Sequence, residues 1–144
     1  MTHAAAGHYA SKHPRGTEVP EPLAEALQAI ARNGCITCRQ AHDVARRQNV
    51  PPHLVGVGLD LLELRITRCQ LGLFGYSPGK KGFDASVDVP EGLEAGIASR
   101  LTAERVACRE AWDLAESLKC SKIAVGAVCD TRGVKIGPCQ LGAF

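Results

Sequence analysis

The chain has 144 residues, a formal net charge of +2 and a sequence pI near 8.2, too mild a basicity for charge alone to imply a nucleic-acid partner. Aromatic residues are only 4%, which leaves little for stacking the bases of a single strand. No apolar run approaches the ~20 residues of a membrane-spanning helix, and residues 1–18 lack the apolar stretch of a signal peptide, so a soluble, cytoplasmic protein is expected.

Residues 1–18 show no periodicity and read as a flexible or loosely docked tail. His3, His8 and His13 recur every five residues and share no helical face. From Pro20 the pattern turns helical: Leu23, Ala26, Leu27, Ile30 and Ala31 form the stripe of an amphipathic helix. Pro22 suits its first turn and Asn33-Gly34 its stop. Cys35-Ile36 reads as a short strand. Thr37 and Gln40 then have capping-box spacing, opening a second helix that runs to about Gln48. Asn49 to Pro52 makes a turn before a third, apolar helix from His53 to about Leu61. Gly56 and Gly58 weaken that helix, which implies close packing against it. Leu64 to Cys69 alternates apolar and polar residues as a half-buried strand does.

The same order then recurs. Cys69-Gln70-Leu71-Gly72 returns 70 residues later as Cys139-Gln140-Leu141-Gly142, and Val19–Phe74 matches Val89–Phe144 at 18 of 56 positions without a gap. The chain is therefore a tandem duplication. It divides into a tail (1–18), a first repeat (19–74), a Gly/Pro-containing loop (75–88) and a second repeat (89–144). A unit of about 56 residues buries too little surface to be robust alone, so the two are expected to share a core. In the second repeat Ala107 replaces the Thr37 cap, and fusion of the first two helices is expected there.

Helix, short strand, helix, turn, helix, strand resembles the winged helix-turn-helix superfamily. That resemblance implies an α+β, mainly helical fold of two tandem winged-helix-like units, with Gly75–Asp88 in the place of a wing. It also implies a DNA-associated regulator, and Arg39, Arg46, Arg47, Lys80 and Lys81 are the residues that would meet phosphates of duplex DNA. The third helix speaks against base readout, since His53 to Glu63 offers one His, two acids and otherwise apolar residues.

Seven cysteines without a secretion signal argue against a disulfide scaffold. Cys38, Cys69, Cys108 and Cys139 occupy matched places in the two repeats, and Cys35 adds a Cys-x-x-Cys spacing. Zinc or an iron–sulfur cluster is the group such a set would hold. The alternatives are buried thiols filling the core and redox chemistry. An accessory module holding such a centre, or docking a partner protein, is the second functional reading. No acid–base pair, nucleophile with its base, or phosphate-binding glycine loop is legible, so catalysis has no support.

Overall fold

In the computed structural model, which describes residues 7–78, 80–84 and 87–144, each repeat has the same order of elements. The first contains α1 (Glu21–Ile30), β1 (Cys35–Thr37), α2 (Cys38–Gln48), α3 (Pro52–Leu61) and β2 (Arg65–Thr67). The second contains α4 (Leu93–Ala98), β3 (Arg105–Val106), α5 (Cys108–Leu118), α6 (Lys122–Thr131) and β4 (Lys135–Ile136). The protein is α+β and mainly helical. No helix among the described residues is long and apolar enough to cross a membrane.

Local chemistry explains the boundaries. Pro22 sits in the first turn of α1, where its missing N–H costs no intrahelical bond. The α1 stripe then buries Leu23 and Leu27 completely. At α2 the capping box forms in both directions: the Gln40 N–H donates to Thr37 Oγ1 at 3.1 Å, and the Thr37 N–H to Gln40 Oε1 at 2.9 Å. Asn49 ends α2 in the left-handed conformation (φ 54°), which Asn tolerates better than most residues. Lys119 does the same after α5. Residues 49–51 and 119–121 are thus three-residue turns, each joining two helices.

Each pair of strands is parallel. Ile36 lies opposite Ile66, and Val106 opposite Ile136. Strand β3 separates α4 from α5, so the expected helix fusion does not occur. Although Ala107 offers no side-chain cap, it stays extended because the preceding residues pair with β4, some 30 positions away. Among the described residues, the 75–88 stretch contributes no strand, and β2 pairs directly with β1.

The chain forms two compact units whose limits differ from those of the repeats. Unit 1 holds the residues up to Thr67 together with Gln140–Phe144; unit 2 holds Arg68–Cys139. The closing corner of each repeat therefore belongs to the unit built mainly from the other. Gly56 of α3 receives the Leu141 carbonyl so closely that a Cβ there would lie 1.8 Å from its oxygen. Gly126 of α6 receives the Leu71 carbonyl in the same way, again at 1.8 Å. Leu71 joins Leu93, Val106, Leu114, Val125 and Val128 in the core of unit 2.

The stretch ahead of each repeat is also part of its unit. In unit 1, residues 9–12 form a single 3-10 turn with Tyr9 buried. The N–H groups of Tyr9 and Ala10 donate to the Glu63 carboxylate at 3.0 and 2.9 Å. Lys12 Nζ lies 3.1 Å and His13 Nε2 2.7 Å from Oδ2 of Asp60, which is 2% exposed. Lys12 also donates to the Gly142 carbonyl at 3.0 Å. Residues 8–13 are thus docked on α3, while His3 lies outside the described residues. Unit 2 uses the same device, with Lys81 paired to Asp130 and the Gly82 N–H donating to the Gly72 carbonyl at 2.8 Å.

Candidate functional site

The amphipathic pattern of α2 decides which of its side chains meet solvent. Cys38, Ala41, His42, Val44 and Ala45 are buried on one face. Arg39, Asp43 and Arg46, spaced by four and three residues, lie along the opposite face, with Arg47 beside them. Arg46 pairs with Asp43 and still keeps 71% of its side chain exposed. Arg39 and Arg47 are exposed and have no ion-pair partner among the described residues. Three of the five residues expected to meet phosphates are therefore gathered on one helix of unit 1.

The equivalent face of unit 2 has the opposite sign. Arg109 is exposed on α5 with Glu110, Asp113 and Glu116. Trp112 replaces His42, and Lys122 Nζ stands 4.7 Å from the centre of the Trp112 ring. Such a contact is worth ~0.5–1 kcal/mol at an exposed site.

Lys80 and Lys81 lie in unit 2, apart from the α2 arginines in the division of the chain. They line an open cleft, and Lys81 is engaged by Asp130. The third helices are largely buried. Val55, Gly56, Gly58, Leu59 and Asp60 of α3 face inward, leaving His53 exposed near the N-terminus. A helix packed in this way has few side chains left to address base edges.

The cysteines divide between the units: Cys35 and Cys38 belong to unit 1, and Cys69, Cys108 and Cys139 to unit 2. All seven are free thiols. Cys38 and Cys108 are buried as the first residues of α2 and α5. The Cys108 N–H donates to the carbonyl of Pro138, the neighbour of Cys139, at 3.1 Å. Burial raises the Cys69 thiol pKa and the nearby Cys139 adds to that shift, against opposing backbone hydrogen bonds from residues 71–73. Burial alone pushes Cys129 up to about 11. Thiols shifted upward stay protonated at neutral pH and are poor nucleophiles and poor ligands. Among the described residues, no group of three or more His, Cys, Asp or Glu is gathered so that it could hold a metal ion.

Two groups of residues escaped the sequence pattern. Asp60 and Glu63 hold the arm ahead of the first repeat, and Arg68, Tyr76 and Phe83 join the two lysines around the unit 2 cleft. The recurrence of Asp60 as Asp130 pointed toward the first, and the basic character of Arg68 beside Lys80 and Lys81 toward the second. Compared with family models, curated proteins and solved structures, the chain matches none.

Proposed function

We propose that this protein binds duplex DNA through the helix-turn-helix of unit 1, as a DNA-associated regulator would. Contact is made mainly with phosphates, by Arg39, Arg46 and Arg47. The observation that carries this reading is the concentration of these three arginines on the outer face of α2, while the same face of α5 carries Glu110, Asp113 and Glu116. The duplicated scaffold is shared, so the difference in sign belongs to the surface and not to the fold. The burial of α3 supports contacts that are largely independent of sequence, since phosphate contacts position a protein without reading bases.

The experiment is a titration of random duplex against salt. Three neutralised phosphates give a slope of log K against log salt of about −2.7, so a fourfold rise in salt weakens binding about forty-fold. Replacing all three arginines by Gln flattens the slope toward zero, each contact accounting for about one unit. Binding without salt dependence, or an unchanged slope in the triple variant, refutes the proposal.

A further inference from the structure

Unit 2 contains a cleft of about 1300 Å³ that the DNA reading does not use. Its lining includes Arg68, Tyr76, Lys80, Lys81 and Phe83, with the carboxylates of Asp84 and Asp130. The two rings are held in place by the backbone beneath them. Phe83 lies on Gly72, where a Cβ would come within 2.6 Å of the ring. Tyr76 lies on Gly82, where a Cβ would come within 2.5 Å, and its hydroxyl donates to the Cys69 carbonyl at 2.7 Å. Lys81 is neutralised by Asp130 and stands 5.9 Å from the centre of the Phe83 ring.

Arg68 and Lys80 are different. Both are exposed, and neither has an ion-pair partner among the described residues. Arg68 is also held in the left-handed region (φ 49°), a conformation that costs a residue with a Cβ ~1 kcal/mol or more. Its N–H donates to the Gly75 carbonyl at 3.1 Å, so the turn carrying Tyr76 fixes where the arginine emerges. Two pre-positioned rings and two cations without ion-pair partners, lining one cleft, match a flat aromatic group joined to an anion.

We propose that this cleft binds a small organic anion bearing an aromatic ring, of the nucleoside-monophosphate type. The rings take the flat group, and Arg68 with Lys80 takes the anion. The site lies wholly within unit 2 and does not depend on the DNA reading of unit 1.

The test is a titration of the full chain with AMP, adenosine and inorganic phosphate at low ionic strength, followed by calorimetry and by amide chemical shifts. AMP is expected to bind saturably and at least about tenfold more tightly than adenosine or phosphate, with shifts confined to the cleft residues. Arg68→Gln and Lys80→Gln are each expected to weaken AMP on the order of tenfold, the effect of losing one charge-assisted hydrogen bond. Neither change is expected to alter the thermal midpoint; if Arg68→Gln does, because of its backbone conformation, Lys80→Gln decides alone. No AMP binding, equal binding of phosphate or of adenosine, or AMP affinity unmoved by Lys80→Gln overturns the proposal.

Discussion

Gly126→Ala tests whether the closing corner of the first repeat is built into unit 2. The added Cβ would lie 1.8 Å from the Leu71 carbonyl oxygen, whereas ordinary contact needs more than ~3 Å. The obstacle is backbone on both sides, so no rotamer change relieves it. Either α6 or the corner must move by more than ~1 Å, and Leu71, fully buried in the core, loses its seat. Displacing a buried leucine costs ~2–5 kcal/mol. Against this, Ala is favoured over Gly inside a helix by ~1 kcal/mol. The net expectation is a loss of ~1–4 kcal/mol, read as a lower urea midpoint and a thermal midpoint down by about 10 °C. Gly58→Ala in α3 is the control, since its added Cβ meets only side-chain carbons, none closer than 3.0 Å, and should change stability far less. If Gly126→Ala is neutral or stabilising, Leu71 does not sit on α6 and the exchanged-corner architecture is wrong.

Four further outcomes are expected. Cys129 is pushed up to about 11 by burial, so between pH 9 and 11 the unfolded chain gives up this proton while the folded one keeps it. Stability therefore falls as pH rises through that window, by about 2 kcal/mol at pH 10.5, and Cys129→Ala should remove that share from urea titrations at pH 8 and 10.5. Replacing Lys12 by Met and His13 by Leu leaves the Asp60 carboxylate buried without its side-chain partners, at a cost of about 3 kcal/mol; adding Asp60→Leu should recover part of the loss in denaturant melts, and an unaltered midpoint in the double variant would mean the arm is not held through Asp60. Thr37→Ala removes one half of a capping box and should cost about 1 kcal/mol, while Ala107→Thr at the uncapped start of α5 should gain a comparable amount. Finally, the Arg39, Arg46 and Arg47 triple variant should leave AMP binding intact and Lys80→Gln should leave DNA binding intact; loss of both activities in either variant would mean that the assigned surfaces are not separate.

The order of elements was readable because it rests on local signals. Leu23 and Leu27 at helical spacing, the Thr37–Gln40 cap and the Asn49 stop each act within a few residues, and the structure uses them where the sequence puts them. What could not be read depends on partners distant along the chain. Strand β3 is short and gets its conformation from pairing with β4, so the missing cap at Ala107 wrongly implied a continuous helix. The residues that dock the arm, itself read from the sequence as a flexible or loosely docked tail, were not legible because two of its bonds come from backbone N–H groups, which carry no sequence signal. Its lysine is also out of step with the repeat: Lys12 and Lys81 do equivalent work without being 70 residues apart. The cleft escaped for a related reason. Arg68, Tyr76 and Phe83 are scattered across the boundary between a repeat and the following loop, and they are gathered by the turn bonded between Arg68 and Gly75 together with the bond from Gly82 to Gly72.

The matches between the repeats gain a physical reason from the exchange. Val55-Gly56 and Val125-Gly126 recur, and so do Cys69–Gly72 and Cys139–Gly142; these are the helix surfaces and corners that meet, Gly56 with Leu141 and Gly126 with Leu71. Because each glycine faces a corner of the other repeat, a change in either repeat is felt in the unit built mainly from the other. The outer face of the second helix carries no such tie. There Arg46 corresponds to Glu116 and Arg47 to Ser117. A duplication closed in this way holds its interior alike in both halves while leaving each outer surface independent. That is the condition under which one scaffold can present an arginine face in unit 1 and a cation-and-aromatic cleft in unit 2.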